Sequence, residues 1–503
     1  MMPATHDHFR TNLIAAIILY AAVILYQGYQ YGQSDQSQII PVLYAQDHPD
    51  TYKTDHYVQT YLRSGTNERT IFHAFLRKAG YQSPWLVFFW HAIASIALIL
   101  AWIKIAGLYI HNQGLQWLSI SLILIVGFHT HTGSNELYYN QLVPSLPAKA
   151  IASWALFYWL KGKYTAWSIL LILAGYLQPL VGLQLFIVTA GALLIDAIRN
   201  KNLKQLPWTQ WLLYLILTLP WLYLLAIHNG GHENPGGYMD IIEFRLSHHF
   251  FGSYFGKIHL ILGLLFSVIV ILCHKDKLRW MFILIVTGIV AYEIGVEILG
   301  SPLFLYTQWW KTTIWVEAFA LVTIISLAES QLGFLKKLER YKWALLVILL
   351  LSVSFYRLSG FFGARPEFLS PLTNYKSDEV DISEKANALS PENSVFIIPP
   401  DLSAFRWYSK RGTYIDYKAM NHSESFLQDW YTRMGEIYKY GIKEKKSGIP
   451  IFKQAHEILL NPTSDDIARW QSLGVTHLIS FSSDLGGLQL LGQNETYAIY
   501  RLP

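Results

Sequence analysis

Eleven apolar runs, each long enough or nearly long enough to cross a hydrocarbon layer as a helix, leave this chain few folds to choose from. They fall at roughly 11–30, 85–106, 115–130, 146–161, 165–178, 180–197, 208–228, 257–273, 279–299, 311–329 and 342–359. Lipid offers no partner to a backbone N–H or C=O, so such runs must be helices packed side by side. The composition agrees: of 503 residues only 15% are charged and 52% are hydrophobic, where a soluble domain carries about a quarter charged residues. The 18 Trp and 32 Tyr suit two interfacial belts. The short runs flanking Gln178-Pro179 read either as two spans or as one re-entrant pair. The first run lacks a small-x-small cleavage site and is expected to remain as an anchor.

The loops orient the spans. Arg10, then His111, then Lys161 and Lys163, then Arg199, Lys201 and Lys204 fall on alternate loops; so do Lys275, Lys277 and Arg279, and the group from Lys336 to Lys342. The positive-inside rule makes that side cytosolic. The opposite loops, 31–84, 129–145, 229–256 and 300–310, are acidic and aromatic. An odd number of spans then puts everything beyond residue 360 on the outer side. A net charge of +5, thinly dispersed, excludes nucleic acid as a partner. Cys273 is the only cysteine, so no intrachain disulfide can form; it reads as a buried apolar residue without a role.

Beyond residue 360 the pattern changes. SVFIIPP (394–400), THLISF (476–481) and YAIYRLP (497–503) read as strands, with a helical DDIARWQSLG before the second strand and Gly474 at its C-cap. The expected fold is therefore a polytopic α-helical membrane domain over 1–360, with a first outer loop at 31–84, followed by a soluble α/β domain over 361–503.

The outer loops hold the candidate chemistry. Asp35 lies just past the first span, near Tyr29 and Tyr31. A carboxylate partly withdrawn from water there can take a proton from a hydroxyl; the alternative is an ordinary hydrated loop aspartate. IIPVLYAQ and RTIFHAFLRKAG have helical amphipathic spacing and are expected to lie along the membrane and wall off a cavity. Asp55-His56 reads as a second acid/base pair or part of a metal site, or as plain loop. The second outer loop offers His129, His131, Glu136 and Lys149. Two histidines and a glutamate are zinc-type ligands without a third firm position to complete the set, so no metal ligand is assigned. These groups more readily hydrogen-bond a sugar or contact a phosphate, with Lys149 as the charge, or form a polar cap on the helices.

The third loop brings Arg245, His248 and His249 to one helical face, suited to a lipid phosphate. Lys311 follows a Trp pair, as an interfacial anchor or a phosphate contact. In FRWYSKRGTYIDYK, Arg406, Lys410, Arg411 and Lys418 interleave with Trp407 and Tyr408, which fits a glycan or acidic-polymer site or a solvated sheet edge. Within the spans, Glu293 and Glu297 lie one turn apart, as a proton-coupled transporter would need.

The order of these features resembles the GT-C superfamily of membrane glycosyltransferases: a first outer loop with surface helices and an Asp just past span one, about eleven spans, and an outer α/β domain. YGQSDQSQIIPVLYAQDHPDTYKTDHYV and IIPPDLSAFRWYSKRGTYIDYKAM in particular resemble the first loop and the outer domain of a bacterial GT-C-like family. The resemblance implies transfer of a sugar, with inversion, from a polyprenyl-phosphate or -diphosphate donor to a glycan or lipid acceptor at the outer face of the bacterial cytoplasmic membrane. It makes Asp35 the general base on the acceptor hydroxyl and Arg245, His248 and Lys311 a phosphate cradle. Family members carry a second acidic residue after the first; here Gln36 stands there, which leaves open whether a divalent metal is used and whether the site is active. The opposing reading is a transporter or flippase of lipid-linked saccharides, or a non-catalytic binder of them.

Overall fold

The computed structural model describes residues 5–125, 127, 132–229, 235–358, 372, 376–439, 451–481 and 484–503. His129, His131 and the stretch GGHEN (230–234) lie outside the described residues.

Each of the eleven apolar runs carries a helix among the described residues. Six are long and apolar enough to cross a membrane: Phe9–Gln27, Pro84–Ala106, Pro179–Arg199, Trp208–Ile227, Lys277–Ile298 and Pro302–Gln331. Gln113–Ile125, Ser145–Leu160, Tyr164–Leu177, Lys257–Cys273 and Lys342–Leu358 are shorter. The protein is a multi-pass membrane protein.

The chain divides into two compact units. Unit one comprises residues 1–29, 88–224 and 248–368; unit two comprises 30–87, 225–247 and 369–503. The three segments of unit two are two loops and the C-terminal region that span counting assigns to one side of the membrane.

Unit one is the helical bundle. Its surface exposes Leu212, Ile216 and Leu219 on one helix and Ile258, Ile261 and Leu264 on another, as a lipid-facing surface does. Its interior holds Trp102, Trp117, Trp159, Trp167 and Trp315, all fully buried. Part of the aromatic wealth assigned to interfacial belts is therefore core, and Trp102 stacks on Trp315 with ring centroids 6.4 Å apart. At Gln178 the backbone is extended (φ −148°, ψ 101°), and Pro179 opens the next helix at its first position. The two helices then close on one another: a Cβ on Gly182 would lie 2.6 Å from the Gly175 backbone, so the approach requires glycine at that position. Cys273 is exposed at the end of its helix rather than buried: it occupies the last helical position, beyond the packed part of the bundle.

Unit two is built on a five-stranded sheet of order β2-β1-β3-β5-β4. The strands are β1 (Val395–Ile397), β2 (Gly412–Thr413), β3 (His477–Ser480), β4 (Gln489–Gln493) and β5 (Ala498–Arg501). β1 runs parallel to β2 and β3, while β5 is antiparallel to β3 and to β4. β2 and β4 are too short or too polar to read from sequence; the other three lie where the alternating apolar stretches place them. Ile382, Ala386, Phe396, Leu402, Ile479 and Ile499 form the core between the sheet and the helix Asp378–Leu389. The helix Ser464–Ser472 starts in a reciprocal capping box between Thr463 and Asp466, and Gly474 follows it at φ +81°.

The first outer loop folds into this unit as the 3-10 helix Ser34–Gln38 and the helices Ile40–Asp47, His56–Arg63 and Thr70–Lys78. The 40–47 helix buries Ile40, Pro41, Val42, Leu43 and Ala45, positions that cover both of its faces. It is thus an internal helix of unit two, where its spacing had read as a membrane-surface one.

Candidate functional site

Asp35 is carried by a turn with little freedom. Gly32 sits at φ +71°, and a Cβ there would lie 2.3 Å from Cδ1 of Trp407, so the turn requires glycine twice over. The Gly32 amide donates to Oε1 of Gln36 at 2.9 Å, the Ser34 amide donates to the Ser403 hydroxyl at 3.2 Å, and the Ser37 hydroxyl donates to the Ser34 carbonyl at 2.6 Å. Gln36, which follows Asp35, is fully buried and braces the turn. Asp35 itself remains 42% exposed, with Oδ1 2.7 Å from Nζ of Lys418. Its charge also acts on Arg69.

Asp55 and His56 lie in the same unit but not as an acid/base pair. Asp55 is wholly buried and caps the 56–63 helix by accepting the Val58 amide at 2.9 Å. Its other oxygen accepts from Nε of Arg406 at 2.6 Å and from the Thr413 amide at 3.0 Å. Arg406 also donates to Asp416, closing a buried Asp–Arg–Asp triad. Every oxygen of Asp55 is engaged, which gives it a structural place. His56 Nε2 lies 2.8 Å from Asp429, an ion-pair distance without hydrogen-bond alignment, and its ring stacks on Phe426 at 5.2 Å. Burial and the nearby Arg433 push its imidazole below the ordinary value.

Arg245 is also in unit two, buried, donating to the Tyr417 carbonyl at 2.7 Å with its guanidinium over the Tyr417 ring. His248 and His249 belong to unit one, with rings 4.1 Å apart, and Nδ1 of His249 lies 3.3 Å from the Gly133 carbonyl. The helix backbone breaks at Leu246 (φ −130°, ψ 21°), so the single face expected for the three residues does not form.

Unit one also holds Glu136, Lys149 and Lys311. Lys149 is buried; its amine donates to the Glu136 carbonyl and lies over the Tyr139 ring at 4.5 Å. Glu136 and Lys311 are the charged groups that act on it. Glu136 and Glu317 line a cleft of about 320 Å³ together with Gln27 and Tyr138. Among the described residues no three metal-ligating side chains come together. Glu293 accepts from the Trp310 indole at 2.5 Å, and Glu297 accepts from the Ser253 amide at 2.9 Å. Both hold loops in place.

The basic-aromatic stretch 405–418 is neither a solvated sheet edge nor an open basic surface. Arg406 is in the triad. Arg411 is buried, donating to the carbonyls of Asn387 and Ser390 at 2.7 Å each, where it closes the C-terminal end of the 378–389 helix. Lys410 packs over the Tyr44 ring at 4.5 Å, and burial pushes its amine down to about 6. Lys418 pairs with Asp35, as Arg406 does with Asp55. The sequence reading missed Arg69, which it saw only as part of an amphipathic run; nothing in a single sequence marks an arginine that reaches its partners through tertiary packing.

The family model described as Domain of unknown function (DUF6798) matches residues 377–437, from the 378–389 helix through Arg406 and Lys418. No curated protein sequence matches the chain. In fold the chain is similar to the crystal structure of ArnT from Cupriavidus metallidurans bound to undecaprenyl phosphate. The two are 10% identical over 99% of each chain, with a TM-score of 0.45. The same protein in the apo state is 11% identical over 99% of each chain, with a TM-score of 0.39.

Proposed function

We propose that the protein is a glycosyltransferase of GT-C type. It would move a sugar from a polyprenyl-phosphate or -diphosphate carrier to an acceptor at the outer face of the bacterial cytoplasmic membrane, with inversion. The observation that carries this reading is Asp35, a part-exposed carboxylate on a braced turn immediately after the first span, oriented by Lys418. In the reaction Asp35 takes the proton of the acceptor hydroxyl as that oxygen attacks the anomeric carbon. The bond from that carbon to the carrier phosphate breaks, and the phosphate leaves with the electron pair on the opposite face of the sugar. A positioned base of this kind contributes about 10²–10⁴-fold. On this reading Lys149 and Lys311 are the cations assigned to the phosphate, Lys149 already donating to the Glu136 carbonyl and Arg245 to the Tyr417 and Lys418 carbonyls. The carboxylates a proton-coupled carrier would use, Glu293 and Glu297, are engaged with Trp310 and Ser253, which favours the transferase over the transporter.

The test is transfer of radiolabelled sugar from a panel of polyprenyl-phosphate sugars into a membrane extract. Wild type is expected to move label from at least one donor, and Asp35→Asn to lose about 10²–10⁴-fold of the rate with its melting midpoint unchanged. Equal rates in the two proteins would remove Asp35 from the chemistry.

A further inference from the structure

A hollow open to solvent lies in unit two between the turn joining the 56–63 and 70–78 helices and the loop that leads into the helix Glu424–Tyr438. Tyr61, Ser64, Thr66, Asn67, Glu68 and Arg69 line it from one side, so one carboxylate stands beside the guanidinium; Asn421, His422 and Ser423 line it from the other. Met420 is the one wholly apolar residue of the lining, so the hollow does not suit a lipid chain or an aromatic drug-like molecule, whose pockets are mainly apolar.

Its hydrogen-bonding groups are incompletely engaged. Arg69 Nη1 donates to Gln38 at 3.3 Å and Nε lies 3.5 Å from Glu68; Nη2 has no hydrogen-bond partner among the described residues. Asn421 uses Oδ1 to accept the Ser423 amide at 3.0 Å, which leaves its amide N–H groups without a described acceptor. Ser423 precedes the 424–438 helix without making a side-chain cap bond, and the Thr66 hydroxyl has no described partner either. Donors from two distant chain segments thus converge on one hollow. A ring of hydroxyls satisfies such a set, and a half-engaged guanidinium calls for an anion that it can grip with two N–H groups. Gln38, which holds Arg69, ends the 3-10 helix that carries Asp35.

We infer that this cleft is the acceptor subsite and takes a saccharide bearing a carboxylate, gripped by Arg69 and hydrogen-bonded by Thr66, Asn421 and Ser423. The inference rests on Asp35 as the base. Arg69 fixes the charged group of the acceptor while Asp35, on the adjoining 3-10 helix, receives the hydroxyl proton.

The experiment is calorimetric or ligand-observed NMR titration of the purified full chain in detergent with a uronic-acid disaccharide, its neutral hexose counterpart and a hexose 1-phosphate. The uronate is expected to bind wild type and Asp35→Asn alike, and to bind Arg69→Gln about tenfold more weakly or worse. Thr66→Val, whose hydroxyl supports no part of the fold, is expected to weaken it less, and serves if Arg69→Gln does not fold. Absence of uronate binding by wild type overturns the inference, as does wild-type affinity in both folded variants. Preference for the hexose phosphate over the uronate would give the cleft to the donor and overturn the acceptor assignment. Transfer that survives Asp35→Asn alongside Arg69-dependent binding would overturn the base and not the cleft.

Discussion

Two side chains show what burial does to charge here. Arg406 and Asp55 lie 5% and 0% exposed and hold each other at 2.6 Å. Removing one partner of such a pair strands the other without water, at a cost of about 3–5 kcal/mol. Asp55→Ala is accordingly expected to lower the denaturant midpoint of the purified protein by that free energy, although Asp55 takes no part in the proposed chemistry. A change below about 1 kcal/mol would mean that the triad is not closed in solution. His73 is the second case. Burial, with Arg69 adding to it, pushes its imidazole down to about 3 from 6.5, and its Nε2 has no hydrogen-bond partner among the described residues. The folded protein keeps this ring neutral while the unfolded chain protonates it below pH 6.5. Its contribution is therefore complete above pH 6.5 and is lost as pH falls towards 3, at about 1.4 kcal/mol per pH unit. Midpoints measured at pH 7, 6 and 5 should fall along that slope, and His73→Phe should flatten it by about one proton's worth. Identical slopes in the two proteins would sink the assignment.

Between elements, the helices Tyr164–Leu177 and Pro179–Arg199 approach backbone to backbone where Gly182 meets Gly175. In lipid such small-residue seams let backbones pack where no hydrophobic force acts between helices. Gly182→Val would push the pair apart. It is expected to cost about 1–3 kcal/mol, read as a lower melting midpoint in detergent, while Gly162→Ala, with open space around the glycine, tests the neighbouring turn for its backbone demand alone (φ +71°). Equal midpoints for Gly182→Val and wild type would show that the seam is open. The positions of these helices were legible from the apolar runs themselves. The seam was not, because a glycine in a span is equally at home facing lipid.

For the molecule as a whole, unit two is assembled from segments hundreds of residues apart, and the 369–503 region does not fold against itself alone. Tyr52 donates to the Arg406 carbonyl at 2.5 Å, Tyr408 donates to the Tyr31 carbonyl at 3.1 Å, and Gly412 packs on Thr54. Residues 369–503 expressed alone are expected to lack dispersed amide NMR signals, because Arg406 loses Asp55; co-expression with 30–87 should restore them. A well-dispersed spectrum from 369–503 by itself would contradict this.

The sequence by itself determined what depends on local chemistry summed along the chain. That covers the eleven apolar helices, the three apolar strands of the sheet, the Gly474 cap, and Asp35 as the polar group next to the first span. Only tertiary structure decided the rest. It sent Asp55, Arg406 and Arg411 into the interior as partners of one another and of helix ends, parted Arg245 from His248 and His249 at a break in one helix, and turned Arg69 towards a polar hollow. A charged residue reads alike whether it meets water, a ligand or a buried counter-charge. What distinguishes these fates is the partner that packing brings to it, and that partner stands far away in the chain.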